Sequence, residues 1–184
     1  MTESTKKAAR CFYALSQNRA DSKRYPAIDT LDSYSKYLEY PEFISFAKEK
    51  LDENWVELVN EARNILVRGK ETEEQINILG DDSVPIDYHV TLWKSEFVDF
   101  VILQQDAFDK IDATTSLERQ EYMLKKVINV TRSEFKFEGF EEVGTYFKRL
   151  INVFRQMNYT IFKSEEFHKV EEEANAVLEE RIIK

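Results

Sequence analysis

Apolar residues recur at intervals of three and four along most of this 184-residue chain, the spacing of helices that bury one face. The spacing predicts a succession of helices after residue 29, separated by short polar breaks. They are centred on residues 31–38, 43–47, 55–66, 71–79, 85–105, 123–130, 146–154 and 167–178. The predicted fold class is therefore mainly α, a helical bundle.

Four positions are expected to start helices. Asp29 or Thr30 can cap the first, because their side-chain oxygens accept bonds from free N–H groups of the first turn. Pro41 suits the first turn of the next helix, and Pro85 is expected to open the longest one. Ser116 is a cap candidate for the helix that follows, although the sequence does not complete a capping box.

Two glycines mark predicted helix ends. Gly69 is expected to terminate the helix through 55–66, and Gly80 the short acidic helix over 71–79. The first part of the chain is less regular. Residues 8–15 fit either a short strand or the first turns of a helix, so a small N-terminal β or irregular element is expected before the bundle.

Composition narrows the class of protein. The chain is 42% apolar and holds 24 aromatic residues (13 Phe, 9 Tyr, 2 Trp), which argues against disorder. Only four Gly and three Pro disfavour a fold of many short hairpins. The single Cys fits a reducing compartment. No apolar run approaches the ~18 residues of a membrane span, so no direct membrane insertion is expected.

Charge is unevenly distributed. Lys and Arg number 26 against 35 Asp and Glu, a net charge of −9 that disfavours general nucleic-acid binding. Residues 1–37 hold seven basic against four acidic residues, a net +3, so the remainder carries −12. A basic first segment precedes an acidic body.

Several kinds of active site are absent from the sequence. The only Gly-Lys pair, Gly69-Lys70, lacks the earlier glycine and the following Ser or Thr of a phosphate-binding loop. His89 and His168 lie 79 positions apart without a cysteine partner, so a zinc site is not expected. No catalytic residue and no metal ligand is assigned.

Two polar breaks between helices each carry an aromatic residue, Tyr25 and Phe108. An exposed ring in such a break can stack on a nucleobase, whatever the base. The alternative is that both rings staple helix ends, and the spacing alone favours this structural role.

A set of short motifs runs along the chain from about residue 8 to residue 130. They are Phe12-Tyr13-Ala14-Leu15, Arg24-Tyr25-Pro26, Ser33-Tyr34-Ser35-Lys36-Tyr37, Gly80-Asp81-Asp82-Ser83, Leu103 to Asp112, Glu118-Arg119-Gln120 and Met123-Leu124. In their order and near their spacing, they resemble the C-terminal region of the catalytic A subunit of V/A-type rotary ATPases. After about residue 135 only helical character is recognised.

The resemblance implies a division of the chain and a role for the two aromatic residues. Residues 1–28 would be a remnant of the preceding nucleotide-binding domain, disordered or docked non-natively, and 29–184 the C-terminal α-helical domain. In the full-length subunit, which binds ATP or ADP with Mg, Tyr25 and Phe108 would stack on the adenine. This chain lacks the phosphate-binding loop, so it is expected to be inactive alone and to bind no nucleotide tightly.

The resemblance also implies partners and a location. The partners would be the B subunits of the alternating catalytic hexamer and the central-stalk subunits, with no nucleic acid. The domain would couple ATP hydrolysis or synthesis to stalk rotation and to H⁺ or Na⁺ transport. It would belong to the soluble ATPase head, cytoplasmic and peripheral to the membrane.

Two other functions remain open from the sequence. The first is a non-enzymatic α-helical adaptor or scaffold that binds a partner helix in an apolar groove. The second is a self-contained helical enzyme with a carboxylate site, for which Asp81-Asp82 and Glu141-Glu142 are the acidic pairs.

Overall fold

The computed structural model describes residues 8–183, and this part of the chain is mainly α-helical with a small antiparallel hairpin. The predicted fold class is confirmed. The strands are β1 (Cys11–Leu15) and β2 (Ile28–Ser35). The α-helices are α1 (Gln17–Asp21), α2 (Pro41–Lys50), α3 (Trp55–Leu79), α4 (Ile86–Val98), α5 (Leu117–Arg132), α6 (Phe140–Tyr159) and α7 (Glu165–Glu179). A π-helical segment, Asp99–Leu103, directly continues α4.

The predicted helix over 31–38 is wrong, because this segment forms strand β2. Strand β2 pairs antiparallel with β1, so Leu15 lies opposite Ile28. Of the two structures left open for residues 8–15, the strand is therefore correct. The expected cap at Asp29 serves another purpose: its carboxylate accepts bonds from the N–H groups two and three residues later, both at 2.9 Å. That local turn suits an irregular strand rather than a helix start.

The hairpin is attached to the helical body through Arg63 on α3. Its guanidinium donates to the carbonyls of Thr30 and Leu31 at 3.0 and 2.8 Å, and to that of Ser33 at 3.3 Å. One side chain thus binds three carbonyls of β2 whose residues have no partner in the register with β1.

The predicted helix end at Gly69 is also wrong. Helix α3 runs without interruption for 25 residues, and the segment 71–79 is its last part rather than a separate helix. Gly69 lies where α3 packs against α4, and its missing Cβ makes room for Ser95. The end at Gly80 is confirmed: this residue has a φ of 88°, a conformation that glycine adopts without strain.

The predicted helix starts are mostly correct. Pro41 is the first residue of α2, and the Ser116 hydroxyl accepts the N–H of Arg119 at 3.3 Å, as a cap does. Pro85 immediately precedes α4. The helix expected to reach about Gln105 is α-helical only to Val98, and α3 is the longest helix of residues 8–183.

The core lies among α3, α4, α5 and α6, with α7 packed along α6. Helix α4 is central, since it contacts both α3 and α6. Phe97 and Phe154, both fully buried, meet edge to face with ring centroids 4.9 Å apart. The other fully buried side chains are Phe147, Phe167, Ile128, Leu150, Met157, Val98, Val127, Val130 and Val143.

The expected division between residues 28 and 29 stays a prediction. Within the described residues β1 and β2 pair across that point, so the segment from residue 8 is structured and part of the hairpin. Residues 1–7 of the expected remnant, and Lys184 at the other end, lie outside the described residues.

Candidate functional site

The two loops that carry the predicted aromatic residues meet in the structure. We call residues 22–26, between α1 and β2, the Tyr25 loop, and residues 104–112, after the π-helical segment, the Phe108 loop. The N–H of Gln105 donates to the carbonyl of Tyr25 at 2.8 Å. Two segments about 80 positions apart in the sequence are thus neighbours.

Both aromatic side chains point into solvent. Tyr25 is 52% exposed and Phe108 is 98% exposed, the highest value among the exposed large apolar residues of 8–183. Within that range neither ring packs against another aromatic ring. The staple role that the spacing favoured does not describe Phe108, because a ring that staples a helix end is covered by it.

The Tyr25 loop is shaped by its own backbone. Helix α1 is capped by Ser16, and the N–H of Arg24 turns back to the carbonyl of Arg19 at 2.8 Å. Lys23 has a φ of 56°, and the Tyr25–Pro26 peptide bond is cis. The bond from Arg24 to Arg19 therefore folds the loop back onto α1 immediately before Tyr25.

Four charged side chains hold the Tyr25 loop to the helical body; we call Arg19, Arg24, Glu96 and Asp99 the arginine cluster. Arg24 binds Glu96 through both guanidinium nitrogens, at 2.7 and 3.0 Å, and Asp99 at 3.0 Å. Arg19 binds the other oxygen of Asp99 at 2.5 Å. Two cations face two anions, so the charges balance.

The acidic partners of Arg24 together outweigh the effect of burial on its pKa. Partial burial by itself would lower its pKa, but the hydrogen bonds and negative charges of Glu96 and Asp99 raise the pKa above its ordinary value. Its guanidinium also lies 4.5 Å from the centre of the Phe100 ring. Arg24 is therefore charged at any working pH and is held on several sides.

The π-helical segment positions Asp99 for this role. The N–H of Gln104 bonds the carbonyl of Asp99 at 2.8 Å, five residues back instead of the four of an α-helix. The wider turn ends the helix at Leu103, and the next two residues begin the Phe108 loop. π-Helical turns inside helices are often found at functional sites.

The Phe108 loop is ordered by its own aspartates. Asp106 accepts the N–H of Phe108 at 2.9 Å, and Asp112 accepts the N–H of Asp106 at 2.6 Å. Asp109 accepts the N–H groups of Ile111 and Asp112, both at 2.8 Å. The exposed ring of Phe108 therefore stands on a loop whose backbone is fixed by hydrogen bonds.

Asp112, the last residue of this loop, is buried. Burial raises the pKa of its carboxyl, against the opposing effects of the Asp106 N–H and the positive charge of Arg119. Burial lowers the pKa of Arg119, which the charges of Asp112 and Asp109 oppose; the guanidinium donates to the Met157 carbonyl on α6. Asp112 in the loop and Arg119 on α5 therefore attract each other.

A cavity of about 790 Å³ lies beside the Phe108 loop, between β2, α3, the π-helical segment and α5. Its walls combine apolar side chains such as Trp55, Val59 and Met123 with the amide of Gln104. The amide oxygen of Gln104 is buried without a protein hydrogen-bond partner. The cavity was not predicted, because its wall is assembled from four elements that are distant in the sequence.

The arginine cluster was also missed from the sequence. Of its four residues only Arg24 was singled out, as part of the motif Arg24-Tyr25-Pro26, although Asp99 interrupts the apolar run from Phe97 to Leu103. That interruption was the available signal. An aspartate in the buried face of a helix needs a cation, but Arg19 and Arg24 lie 80 and 75 positions earlier in the chain, so the sequence does not identify them as its partners.

The described residues offer neither a metal-binding cluster nor a membrane-spanning helix. Among residues 8–183, no group of three or more His, Cys, Asp or Glu side chains is arranged to hold a metal ion. In the same range, every helix is too short or too polar to cross a bilayer.

Comparison with known sequences gives a consistent result. The family model described as "C-terminal domain of V and A type ATP synthase" matches residues 45–138, which are 94 of the 184 residues. The matched range includes Glu96, Asp99 and the whole Phe108 loop.

Curated relatives extend the similarity over nearly the whole chain. A V-type ATP synthase alpha chain of Borrelia duttonii (strain Ly) is 36% identical over 171 residues, which are 93% of this chain and 27% of the relative. Proteins of the same name are 32% identical in Protochlamydia amoebophila, over 98% of this chain, and 33% identical in Treponema denticola, over 94%. They are covered to 30% and 27% of their length, so the chain spans under a third of these relatives.

Proposed function

The chain belongs to the family of C-terminal domains of V and A type ATP synthases, and we propose that it forms the adenine side of the nucleotide site in the catalytic subunit. The observation that carries the proposal is the meeting of the Tyr25 and Phe108 loops. Two unstacked, solvent-facing aromatic rings stand on loops joined by a backbone hydrogen bond. Exposed rings on ordered loops are suited to stacking on a base.

The residues fit an adenine base better than they fit a whole nucleotide. Tyr25 and Phe108 offer aromatic faces, but the sequence contains no phosphate-binding loop and residues 8–183 offer no metal-binding group of acids. ATP or ADP with Mg would therefore be held mainly by the rest of the full-length subunit. The bound nucleotide supplies the phosphoanhydride chemistry, and Tyr25 and Phe108 orient its base.

The wider function that we propose follows from the family. The full-length subunit would be an ATP-driven or ATP-synthesising H⁺- or Na⁺-transporting machine in which this domain passes conformational change to the central stalk. Its neighbours would be the B subunits of the hexamer and the stalk subunits, on the cytoplasmic side of the membrane. The acidic body, net −12 after residue 37, suits a basic partner surface.

The adenine assignment is tested in the assembled ATPase with Tyr25→Ala and Phe108→Ala. Loss of one base–ring stack costs about 1–3 kcal/mol, so the Michaelis constant for ATP should rise about fivefold or more in each variant. Phe46→Ala removes a ring about as exposed as that of Tyr25 from α2, outside both loops, and serves as the control. Unchanged Michaelis constants in both test variants would remove the assignment.

The proposal that the rest of the full-length subunit holds most of the nucleotide is tested in the 184-residue chain. ATP titrated into it by calorimetry should show at most weak binding, and phosphate release should stay at the level of a protein-free blank. Turnover by the chain alone would instead support a self-contained enzyme.

A further inference from the structure

Asp99 connects the two aromatic loops through both its side chain and its main chain. Its carboxylate binds Arg19 and Arg24, which flank the turn before Tyr25. Its carbonyl accepts the N–H of Gln104, and the next N–H along the chain, that of Gln105, donates to the Tyr25 carbonyl. A closed path of contacts therefore runs from the Tyr25 loop through Asp99 to the Phe108 loop.

The arginine cluster fixes the orientation of its side chains more than it adds stability. The Asp99 side chain is 7% exposed, so its charge is largely withdrawn from water and must be met by the two guanidinium groups. Buried ion pairs add little net stability against apolar residues of similar size. What they do fix is orientation, because a guanidinium binds a carboxylate in a planar, two-bonded arrangement that lysine cannot reproduce.

The position of Tyr25 depends on this cluster. Its ring is half exposed and has no aromatic neighbour in residues 8–183. The loop is instead held on either side of the ring, by Arg24 immediately before it and by the Tyr25 carbonyl bonded to Gln105. A ring that is ordered before binding loses less entropy when it stacks on a ligand.

We propose that Asp99 is a positioning residue that holds Tyr25 in register with Phe108 for stacking on the nucleotide base. The inference rests on the proposed adenine site, and neither Asp99 nor the two arginines need touch the nucleotide. Weakening the cluster should therefore reduce the affinity for ATP while leaving the chemistry at the phosphates unchanged.

The test compares Asp99→Asn and Arg24→Lys with the unmodified enzyme in the assembled ATPase. The Michaelis constant for ATP should rise about 2- to 10-fold, the cost of ordering one side chain again at each binding event, with kcat changed less than about twofold. Glu61→Gln is the matched control, because it breaks an exposed two-bonded pair with Arg132, at 2.8 and 2.5 Å, that joins α3 and α5. Its Michaelis constant should not move.

A double-mutant cycle separates positioning from a general structural effect. If Asp99 acts through the ring, Asp99→Asn should add nothing to the Michaelis constant of Tyr25→Ala, whereas independent effects multiply. Multiplied effects on the Michaelis constant would overturn the proposal. An unchanged Michaelis constant in the Arg24→Lys enzyme would also overturn it. Arg24→Lys retains the positive charge, and it replaces Asp99→Asn in the test if the Asp99→Asn enzyme does not assemble. If Tyr25→Ala itself has no effect, the adenine site fails. If Tyr25→Ala has an effect and the cluster variants do not, only the role of Asp99 fails.

Discussion

Gly69 on α3 and Ser95 on α4 face each other so closely that a Cβ atom on Gly69 would overlap both the Cβ and the Oγ of Ser95. Helices α3 and α4 form the most extensive pairing between elements of residues 8–183. The glycine therefore permits the close approach of the two helices.

Gly69→Ala should destabilise the 184-residue chain, although alanine is the better helix former. Overpacking of a core typically costs about 1–3 kcal/mol, against about 1 kcal/mol gained in helix propensity. Urea unfolding followed by circular dichroism measures the difference. Ser95→Gly in the same chain removes the opposing atoms and should recover part of the loss. Equal or greater stability of Gly69→Ala alone would show that the helices can separate at no cost.

Tyr122 gives a pH dependence with a definite sign. Burial, then the hydrogen bond to Glu171 and its charge, raise the pKa of Tyr122 from 10.0 to about 12. The folded state therefore retains this proton longer than the unfolded state, and its contribution to stability is complete below pH 10 and is lost as the pH rises toward 12.

Tyr122→Phe should lower the free energy of unfolding by about 1 kcal/mol at pH 8, the usual net value of a hydrogen bond. The gap to the unmodified chain should narrow at pH 11, since the variant has no phenol to titrate there. Unfolding by urea at several pH values measures both. Tyr13→Phe, which changes an exposed tyrosine of β1, is the control and should give a parallel curve. A gap that stays constant with pH contradicts the shifted pKa.

Ser116→Ala should cost about 1 kcal/mol of stability, because the N–H of Arg119 loses its side-chain acceptor at the first turn of α5. Thermal unfolding of the chain measures this loss. Ser116→Asp should retain most of the stability, because a carboxylate also accepts the capping hydrogen bond and its negative charge is stabilised at the positive end of the helix. An Ala variant as stable as the Asp variant would mean that the cap contributes nothing.

Local signals made the helix starts predictable, and long-range contacts explain what was missed. Pro41 and Ser116 act on their own first turns, so they could be interpreted without the fold. Strand β2 could not, because residues 28–35 are held by a partner strand and by Arg63, some 30 positions away. Gly69 has the same explanation: whether a glycine ends a helix or admits a neighbour depends on what lies opposite.

The candidate site shows the same limit. Tyr25 and Phe108 were identified as unusual aromatic residues in polar breaks, and the structure shows that their loops touch. Their support could not be derived from the sequence, because Arg24 and Asp99 are 75 positions apart and meet only after α4 has packed. Charged residues at such separations pair according to the fold.

Phe108 provides the most direct test of how a base would be recognised at this site. Its ring is almost fully exposed, and its main-chain N–H donates to the Asp106 carboxylate, so replacement of the side chain should leave the fold intact. Stacking depends on the π face that every base has, so the ring should contribute similarly to different purines. Phe108→Leu should therefore raise the Michaelis constants for ATP and GTP by the same factor, about fivefold or more.

Phe108→Tyr retains the aromatic face and should change neither constant by more than about twofold. Steady-state hydrolysis by the assembled ATPase with each nucleotide measures these constants, with Phe46→Leu on α2 as the control. A loss confined to ATP would show that the site distinguishes the base by its hydrogen-bonding edge, for which a stacked ring is not sufficient.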